Sequence, residues 1–523
     1  MNQSWPVTGL MALWLTLALP VQAHEKAPPS DSVTGNLGET VFPTSGSARA
    51  QPDFMRGLLL LHSFEFDAAR KAFQDAIARD PGFAMAYWGE ALSYNMPLWG
   101  EQDLEAARAV LKRLGPTPAE RQARAPTERE RAYLASVEQL YGDGDKTERD
   151  ANYSVALGEL SREYPEDLDA RALYGLSLLA LTGTTRDTAN YMRGAAEAEA
   201  VYEINPRHPG ALHYLIHAYD DPLHAPLGLR AARRYGKVAG AASHAQHMPS
   251  HIFFALGLWD DAIEANVAAL ATARSQGGGG YHPLEWLAYA YLQEGRQEEA
   301  ADLVKIVEQD VATQPNQGNR STLAGLRATW LVETGGAAPV DGWTDVDSSG
   351  IQSTWAFTSQ DFCRGIVAAR GGRLDVAAIN LAQLRARTDA ARERMVGVVA
   401  NRYDTVTPEE VESDEIMAAA LEGAIQFARG EQDAGLASVR DAIATADTQA
   451  FSYGPPWSVK PLDELLGDLL MAADRPGEAV PAYEKALSVH PNRRLSKAGL
   501  VAAKAAAWSC QHCAKPTDAA AAH

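Results

Sequence analysis

The sequence predicts an all-α fold, an α-solenoid built from consecutive pairs of helices. Three observations carry this prediction. Helical periodicity of apolar residues dominates after about residue 50. Alternating runs rich in Val, Ile and Thr, which are typical of strands, are scarce. The same spacing of small, aromatic and proline residues recurs near both ends of the 523-residue chain, as expected when one structural unit is repeated.

The repeated unit has two well-matched copies. One copy places Gly, Ala, Phe, Ala and Pro at positions 57, 69, 73, 76 and 81, and the other places Gly, Ala, Tyr, Ala and Pro at 467, 479, 483, 486 and 491. This is the tetratricopeptide (TPR) pattern, in which a small residue lies where two helices cross and Pro closes the second helix. Weaker copies around Gly257, Gly295 and Gly372 extend it, and we expect a TPR-type α-solenoid of roughly nine to ten helix pairs.

The first 23 residues have the features of a secretory signal peptide. Leu10–Pro20 form an apolar core, and Val21-Gln22-Ala23 fits the small-x-small cleavage pattern. No later apolar stretch reaches the length of a membrane span. We therefore expect a periplasmic or secreted protein with no membrane anchor after signal cleavage. Cys510 and Cys513 are then expected to form a local disulfide, because that compartment is oxidising.

Changes in composition divide the rest of the chain. We predict an extended segment at 24–48, an N-terminal TPR array with a His-rich groove at 49–334, and a turn-rich insert at 335–354. A C-terminal TPR array follows at 355–505, and a Cys-containing, Ala-rich tail at 506–523.

Charge and missing motifs exclude several classes of function. The chain has 67 acidic and 47 basic residues, a net charge of −20, and this argues against binding a nucleic acid. The signatures of zinc proteases, α/β-hydrolases, P-loop proteins and dinucleotide-binding proteins are missing from the sequence.

Histidines are concentrated in one region of the chain. Eight of the 13 lie between His208 and His282. His213 and His217 are four residues apart, and so are His247 and His251; the two pairs are offset by 34 residues. Residues four apart share a helix face, so two imidazoles can bind one ion. We predict these four histidines as metal ligands.

Other residues fall at matching positions of the repeats. Asp220, His244, His282 and Glu285 are secondary ligand candidates, and Glu285 and Asp220 are also weak candidates for a catalytic general base. His62, Trp88 and Tyr289 are predicted to line the groove. Pro249 favours the first turn of a helix, which leaves the direction of His247 open.

The stretches "HPGALHYLIHAYDDP" and "HMPSHIFFALGLWDDAI" resemble a family of exported bacterial TPR-repeat proteins, whose hallmark is H-Y-x-I-H followed by H-M-P-[SA]-H-I. "YGPPWSVKPLDELLGDLL", which begins at Tyr453, is similar to their closing segment, and the resemblance covers most of residues 50–505. It implies the fold and the importance of these positions, and it implies no reaction. Members of the family have His where this chain has Met96 and Asp463.

The leading hypothesis is a binding or scaffold protein with a divalent transition metal in its concave groove. Histidines with carboxylates suit Zn, Cu, Ni or Fe. One alternative is a metal-dependent enzyme, an oxidase or a hydrolase, built in the same groove for a small-molecule substrate. The other is a metal-free module whose groove binds a peptide or protein partner.

Overall fold

The structure is a computed structural model that describes residues 36–181, 186–336, 343–395 and 405–513, with side chains up to residue 509. The predicted signal peptide, residues 24–35 of the extended segment and the side chains of Cys510 and Cys513 lie outside the described part. Among the described residues, no helix has both the length and the apolar character needed to cross a membrane.

Nearly all the regular secondary structure of the described residues is helical, which confirms the predicted all-α fold. A short antiparallel hairpin pairs β1 (Asn95–Met96) with β2 (Glu101–Gln102), and a 3-10 turn, Pro97–Trp99, connects them. The helices are α1 Gln51–His62, α2 Phe66–Arg79, α3 Ala84–Leu92, α4 Leu104–Leu114, α5 Pro118–Ala123, α6 Glu128–Leu140, α7 Lys146–Glu163, α8 Leu168–Ala180, α9 Thr188–Ile204, α10 Pro209–Ala218, α11 Ala225–Val238, α12 Ser243–His247, α13 Pro249–Leu256, α14 Trp259–Ser275, α15 Tyr281–Gln293, α16 Gln297–Thr313, α17 Gln317–Thr334, α18 Trp355–Arg370, α19 Leu374–Arg394, α20 Pro408–Ala428, α21 Gln432–Ala446, α22 Leu462–Ala472, α23 Pro476–Val489 and α24 Arg494–Cys513.

Consecutive helices pack against each other in ten pairs, which agrees with the expected number. The pairs are α1/α2, α3/α4, α6/α7, α8/α9, α10/α11, α13/α14, α15/α16, α18/α19, α20/α21 and α22/α23. The short helix α12 joins α13 as the first helix of its pair, and it packs against α14. Helix α17 belongs to none of these pairs and packs against α15, α16 and α18, and the described residues 343–354 contain no helix.

The two best-matched copies of the repeat pack in the same way. A Cβ atom on Gly57 would lie 2.8 Å from the Phe73 ring, and a Cβ on Gly467 would lie 2.8 Å from the Tyr483 ring. Both aromatic rings are fully or almost fully buried. The small residue is therefore required because the aromatic ring of the second helix rests on the backbone of the first.

An extended segment, residues 36–50, crosses the first half of the array. The Asn36 amide donates to the carbonyl of Lys237 at 2.9 Å, and the Glu39 N–H donates to the carbonyl of Arg207 at 3.0 Å. Phe42 packs on Trp88 with ring centroids 5.9 Å apart. Trp88 is fully buried, so this predicted groove residue belongs to the core.

The C-terminal helices fold back onto the middle of the array. The Asn492 amide donates to the carbonyl of Gly257 at 3.2 Å, and Arg493 lies buried between Glu333 and Glu464. The segment 452–459 lies against α15, beside the histidines described next.

Candidate metal centre

The first histidine cluster joins α10 to α12. His213 and His217 lie one turn apart on α10, with their Nε2 atoms 3.1 Å apart. His244, from the start of α12, places its Nε2 3.2 Å from the same His213 atom. All three ligand atoms lie within 4.8 Å of one another, so one metal ion can reach them together. His244, a secondary candidate from the sequence, is thus the third member of this cluster.

The second cluster joins α12, α13 and α15. The Nε2 atoms of His247 and His251 are 3.2 Å apart, and His282 brings a third nitrogen within 4.8 Å of both. Met248 has helical dihedral angles, φ −53° and ψ −36°, so the backbone winds on through the junction before Pro249. His247 therefore keeps its one-turn relation to His251, although proline begins the next helix.

The four histidines predicted as ligands thus belong to two clusters. His213 and His217 lie together with His244, and His247 and His251 lie together with His282. The clusters are adjacent, since the rings of His217 and His251 have centroids 5.9 Å apart. The arrangement has room for two neighbouring ions, each with three nitrogen ligands.

Hydrogen bonds place the ring protons away from the centre of each cluster. His213 Nδ1 lies 2.7 Å from the carbonyl of His62, and His251 Nδ1 lies 2.6 Å from Asp220 Oδ2. His247 Nδ1 lies 2.7 Å from Asn266 Oδ1, whose own amide N–H donates to the carbonyl of Ala262. Because each of these partners is an acceptor, the proton is on Nδ1 and the lone pair is on Nε2.

The facing Nε2 atoms of the second cluster are placed so that one cation could lie between them. When both rings are neutral, the Nε2 lone pairs of His247 and His251 face each other across 3.2 Å, and a metal ion between them would bind both. Metal-ligating histidines have this pattern, with the second ring N–H held by a carboxylate, carbonyl or amide. Asp220 has this supporting position, and it has a buried Oδ1 without a hydrogen-bond partner.

Burial keeps the imidazoles neutral. It lowers the pKa of His213 and His217 well below the ordinary value, and neighbouring histidines lower it further. The pKa of His244 is lowered in the same way. Burial, with the nearby His251, lowers the pKa of His247 to about 3. The neutral form is the one that binds metal ions, so these side chains are ready for ligation at neutral pH.

A third group of titratable residues lies next to the first cluster, on the Nδ1 side of His213. His62 Nε2 lies 2.8 Å from Asp169 Oδ1, and its Nδ1 lies 2.8 Å from the hydroxyl of Tyr214. His208 approaches the same carboxylate at 3.3 Å, and the Thr40 hydroxyl donates to its other oxygen. The side chains of His62, His208, Asp169 and Tyr214 are buried, and both ring nitrogens of His62 have partners. His62 therefore positions His213 through its carbonyl and does not line an open groove.

Aromatic rings cover both clusters. Phe64 packs against His213 with centroids 4.2 Å apart, and Trp99 lies 6.1 Å from His244. Trp286 stacks on His251 at 4.4 Å, and Tyr453 lies 5.0 Å from the same ring. The sequence did not predict these covers: Phe64 and Trp99 lie in turns, Tyr453 comes from a segment about 200 residues away, and Trp286 lies on α15.

The remaining candidates lie outside the ligand shells. Glu285 lines a cavity next to His282, and the buried Tyr289 accepts a hydrogen bond from Arg493 at 2.7 Å. Asp463, one of the two departures from the family pattern, lies 3.4 Å from Lys485. Met96, the other, is in β1 and packs against the main core. Asn266 was not found from the sequence; its only signal there is one amide inside the apolar run "DAIEANVAAL".

No protein-family model and no curated protein matches this chain. Solved structures similar to it include the APC/C hetero-tetramer Cut9–Hcn1, with 13% identity over 89% of this chain and 78% of that chain and a TM-score of 0.35. Yeast Tom70 has 11% identity over 89% of this chain and 90% of that chain, with a TM-score of 0.32. The P58(IPK) TPR domain has 10% identity over 89% and 99%, with a TM-score of 0.23. These scores are below 0.5, so the assignment as a TPR-type α-solenoid rests on the helix packing described above.

Proposed function

We propose that this chain is an exported TPR-type scaffold protein that binds two transition-metal ions side by side through six histidines. The observation that carries the proposal is the pair of facing Nε2 lone pairs of His247 and His251, with both ring protons held on Nδ1 by Asn266 and Asp220. A metal ion between the two Nε2 atoms would bind both lone pairs, while Asn266 and Asp220 would act as the outer partners of the two ligands.

The ligand set narrows the choice of ion. Neutral imidazole nitrogens suit Zn, Cu, Ni and Fe, and they are poor ligands for Mg and Ca. Three protein ligands per ion also leave a coordination position open. The first helices of three consecutive pairs supply all six ligands, so the repeat itself aligns the two sites.

The metal content of the chain tests this proposal. The chain would be purified from His24 without an affinity tag, loaded with Zn, Cu, Ni and Fe in separate samples, and analysed by inductively coupled plasma mass spectrometry. We expect about two equivalents of bound metal. The His213→Ala/His217→Ala variant and the His247→Ala/His251→Ala variant should each retain about one equivalent, with helix content checked by circular dichroism.

His224 provides the matched control. Its Nδ1 pairs with Asp221 at 2.7 Å, and it belongs to neither cluster, so His224→Ala should bind metal like the wild type. A wild-type chain that stays metal-free after loading with all four metals would refute the proposal. The metal-free, peptide-binding module would then be the better hypothesis.

A metal-dependent enzyme is the second candidate, and the open coordination position favours it. An ion with three histidines can activate water or dioxygen there. Glu285 is a candidate for the general base, since it lines the cavity beside His282. Turnover of a small molecule that disappears on chelation and returns with one metal would distinguish an enzyme from a scaffold.

A further inference from the structure

A cavity of about 190 Å³ adjoins the second cluster. It lies between α15, α17 and the segment 452–459, and His282 and Glu285 form part of its wall. Five aromatic side chains also line it, namely Trp286, Tyr289, Trp355, Tyr453 and Trp457. Among the described residues, this cavity brings a predicted metal ligand and several aromatic rings to one space.

The segment that closes the cavity has an unusual backbone. Gly454 has a φ of 85°, and a Cβ at this position would lie 2.3 Å from the Trp286 ring. Val459 has a φ of 62°, a conformation that is unfavourable for a β-branched residue. Such conformations persist where the surrounding structure holds them, and they are concentrated at functional sites.

Contacts to its neighbours hold this segment in place. Trp355 Nε1 donates to the carbonyl of Trp457 at 3.1 Å, which ties the segment to α18. Tyr453 packs on His251, one of the ligands of the second cluster. The segment thus encloses the cavity and the histidine cluster together.

The size and walls of the cavity select one class of ligand. A cavity of about 150 Å³ is large enough for a benzene ring, so about 190 Å³ accommodates one ring with a small substituent. Aromatic side chains pack favourably against an aromatic ligand. The carboxylate of Glu285 can accept a hydrogen bond from a hydroxyl group on that ring.

The ion proposed beside the cavity favours a phenol over an organic cation as its ligand. Aromatic rings with a carboxylate also suit a quaternary ammonium ion. However, a positively charged ligand beside a metal ion is repelled by it, and an ammonium group has no lone pair to offer. A phenol oxygen can donate to Glu285 and direct a lone pair to the open coordination position.

We propose that the cavity binds a monocyclic phenol, with its ring among the tryptophans and its oxygen directed toward the ion held by His247, His251 and His282. This inference rests on the proposed function, because it requires that ion. Beyond the binding of metal, the inference specifies the class of ligand and the side of the second cluster from which the ligand approaches.

Gly325 offers a matched pair of variants that test the cavity. A Cβ at this position would lie 3.5 Å from Glu285 Oε1 and 3.9 Å from the Trp355 ring, which are ordinary contact distances. Gly325→Ala should therefore leave the cavity usable, and Gly325→Leu should fill it. Thr329→Leu, from one turn further along α17, provides a second way to fill the cavity.

The experiment is calorimetric titration of the metal-loaded full-length chain with 4-methylphenol. We expect the wild type and Gly325→Ala to bind it equally, and Gly325→Leu and Thr329→Leu to bind it at least tenfold more weakly. 4-Methylcyclohexanol and tetramethylammonium should bind at least tenfold more weakly to the wild type. In the Co²⁺-loaded chain, the visible absorption of the ion should change along the same titration curve.

The two proposals fail in different ways. Metal content is measured first for every variant, and a chain without metal would refute the proposed function. If two ions are bound, three results would overturn the phenol proposal. The wild type does not bind 4-methylphenol, both filled variants bind it as tightly as the wild type, or the wild type binds tetramethylammonium more tightly than 4-methylphenol. A Co²⁺ spectrum that does not change on binding would also overturn it, because the oxygen would then not reach the ion.

Discussion

Asn266 holds the orientation of His247 without being a metal ligand. Its Oδ1 accepts from His247 Nδ1 at 2.7 Å, and its amide is itself fixed by the carbonyl of Ala262. Asn266 is fully buried, so no water takes its place at low cost. Its effect on metal binding is therefore specific to the second cluster.

Replacing Asn266 should weaken one site and spare the other. We expect Asn266→Ala to reduce the metal affinity of the second cluster by about 10- to 100-fold, the usual effect of removing a partner of a ligating histidine. Asn266→Asp keeps the acceptor for His247 but loses the donor to the carbonyl of Ala262, so it should lose less affinity than Asn266→Ala. Competition with a chromophoric chelator would measure both sites, and an equal loss at both clusters would contradict this role.

Phe64 has a left-handed backbone conformation, and at the equivalent position of other repeats the residue with this conformation is smaller. Seven residues after the small residue of the helix crossing, the chain turns with positive φ at Gly372 (70°), Gly430 (94°) and Asp474 (58°). At the same position, Phe64 has a φ of 54°. Its ring packs on His213, His217 and His244, which accounts for a bulky residue at a strained position.

The strain at Phe64 predicts that its glycine variant is more stable than its alanine variant, which inverts the usual order of these two residues. Both Phe64→Ala and Phe64→Gly lose the buried ring and should be less stable than the wild type by about 3 kcal/mol. Alanine keeps the strained φ and glycine does not, so Phe64→Gly should be more stable than Phe64→Ala by about 1 kcal/mol. Urea denaturation of the metal-free chains measures the difference. Alanine being more stable would show that the turn relaxes.

At the scale of helices, the histidine pairs could be predicted and the two clusters could not. Periodicity places His213 with His217 and His247 with His251, because residues four apart share a helix face. The third ligands, His244 and His282, come from neighbouring helices, and their approach depends on how the pairs stack. The helical dihedral angles of Met248 also depend on packing, so Pro249 alone did not determine the direction of His247.

The contact between α18 and α20 contains a carboxyl group that titrates near neutrality. Asp414, on α20, is fully buried and accepts from the Thr354 hydroxyl at 2.7 Å through Oδ2. Its Oδ1 has no hydrogen-bond partner. Burial raises the pKa of Asp414 to about 7, and the nearby Glu410 and Asp361 contribute in the same direction.

This shift predicts how stability depends on pH. The pKa of Asp414 is higher in the folded chain than in the unfolded chain, so the folded chain holds the extra proton between about pH 4 and pH 7. Stability should fall as pH rises through this window and level off above it. Relative to Asp414→Asn, the wild type should lose up to about 1.4 kcal/mol per pH unit.

Urea denaturation of both chains at several pH values between 4.5 and 8 would measure this slope. The histidine clusters are the same in both chains, so their own titration cancels in the difference. A constant difference across the range would show that Asp414 is ionised throughout, and it would contradict the proposed effect of burial.

At the scale of the whole molecule, Arg493 joins the last repeat to the middle of the array. It is fully buried, and it pairs with Glu464 of α22 at 2.7 Å and with Glu333 of α17 at 2.6 Å. It also donates to the hydroxyl of Tyr289, on the same helix as His282. A linear array needs no such contact, so it was not predicted from the repeat pattern.

Arg493→Met should therefore destabilise the chain strongly and affect one metal site more than the other. It leaves Glu333 and Glu464 buried without their common partner, which costs about 3–5 kcal/mol. Arg475→Met is the control, since Arg475 pairs with Asp433 and Glu478 at the surface and should change stability by less than about 1 kcal/mol. Unfolding followed by circular dichroism gives both values.

In the Arg493→Met variant, the second cluster should lose metal affinity more than the first, because α15 carries both Tyr289 and His282. If both variants unfold like the wild type, the C-terminal contact does not stabilise the array, and the cavity beside His282 needs another support.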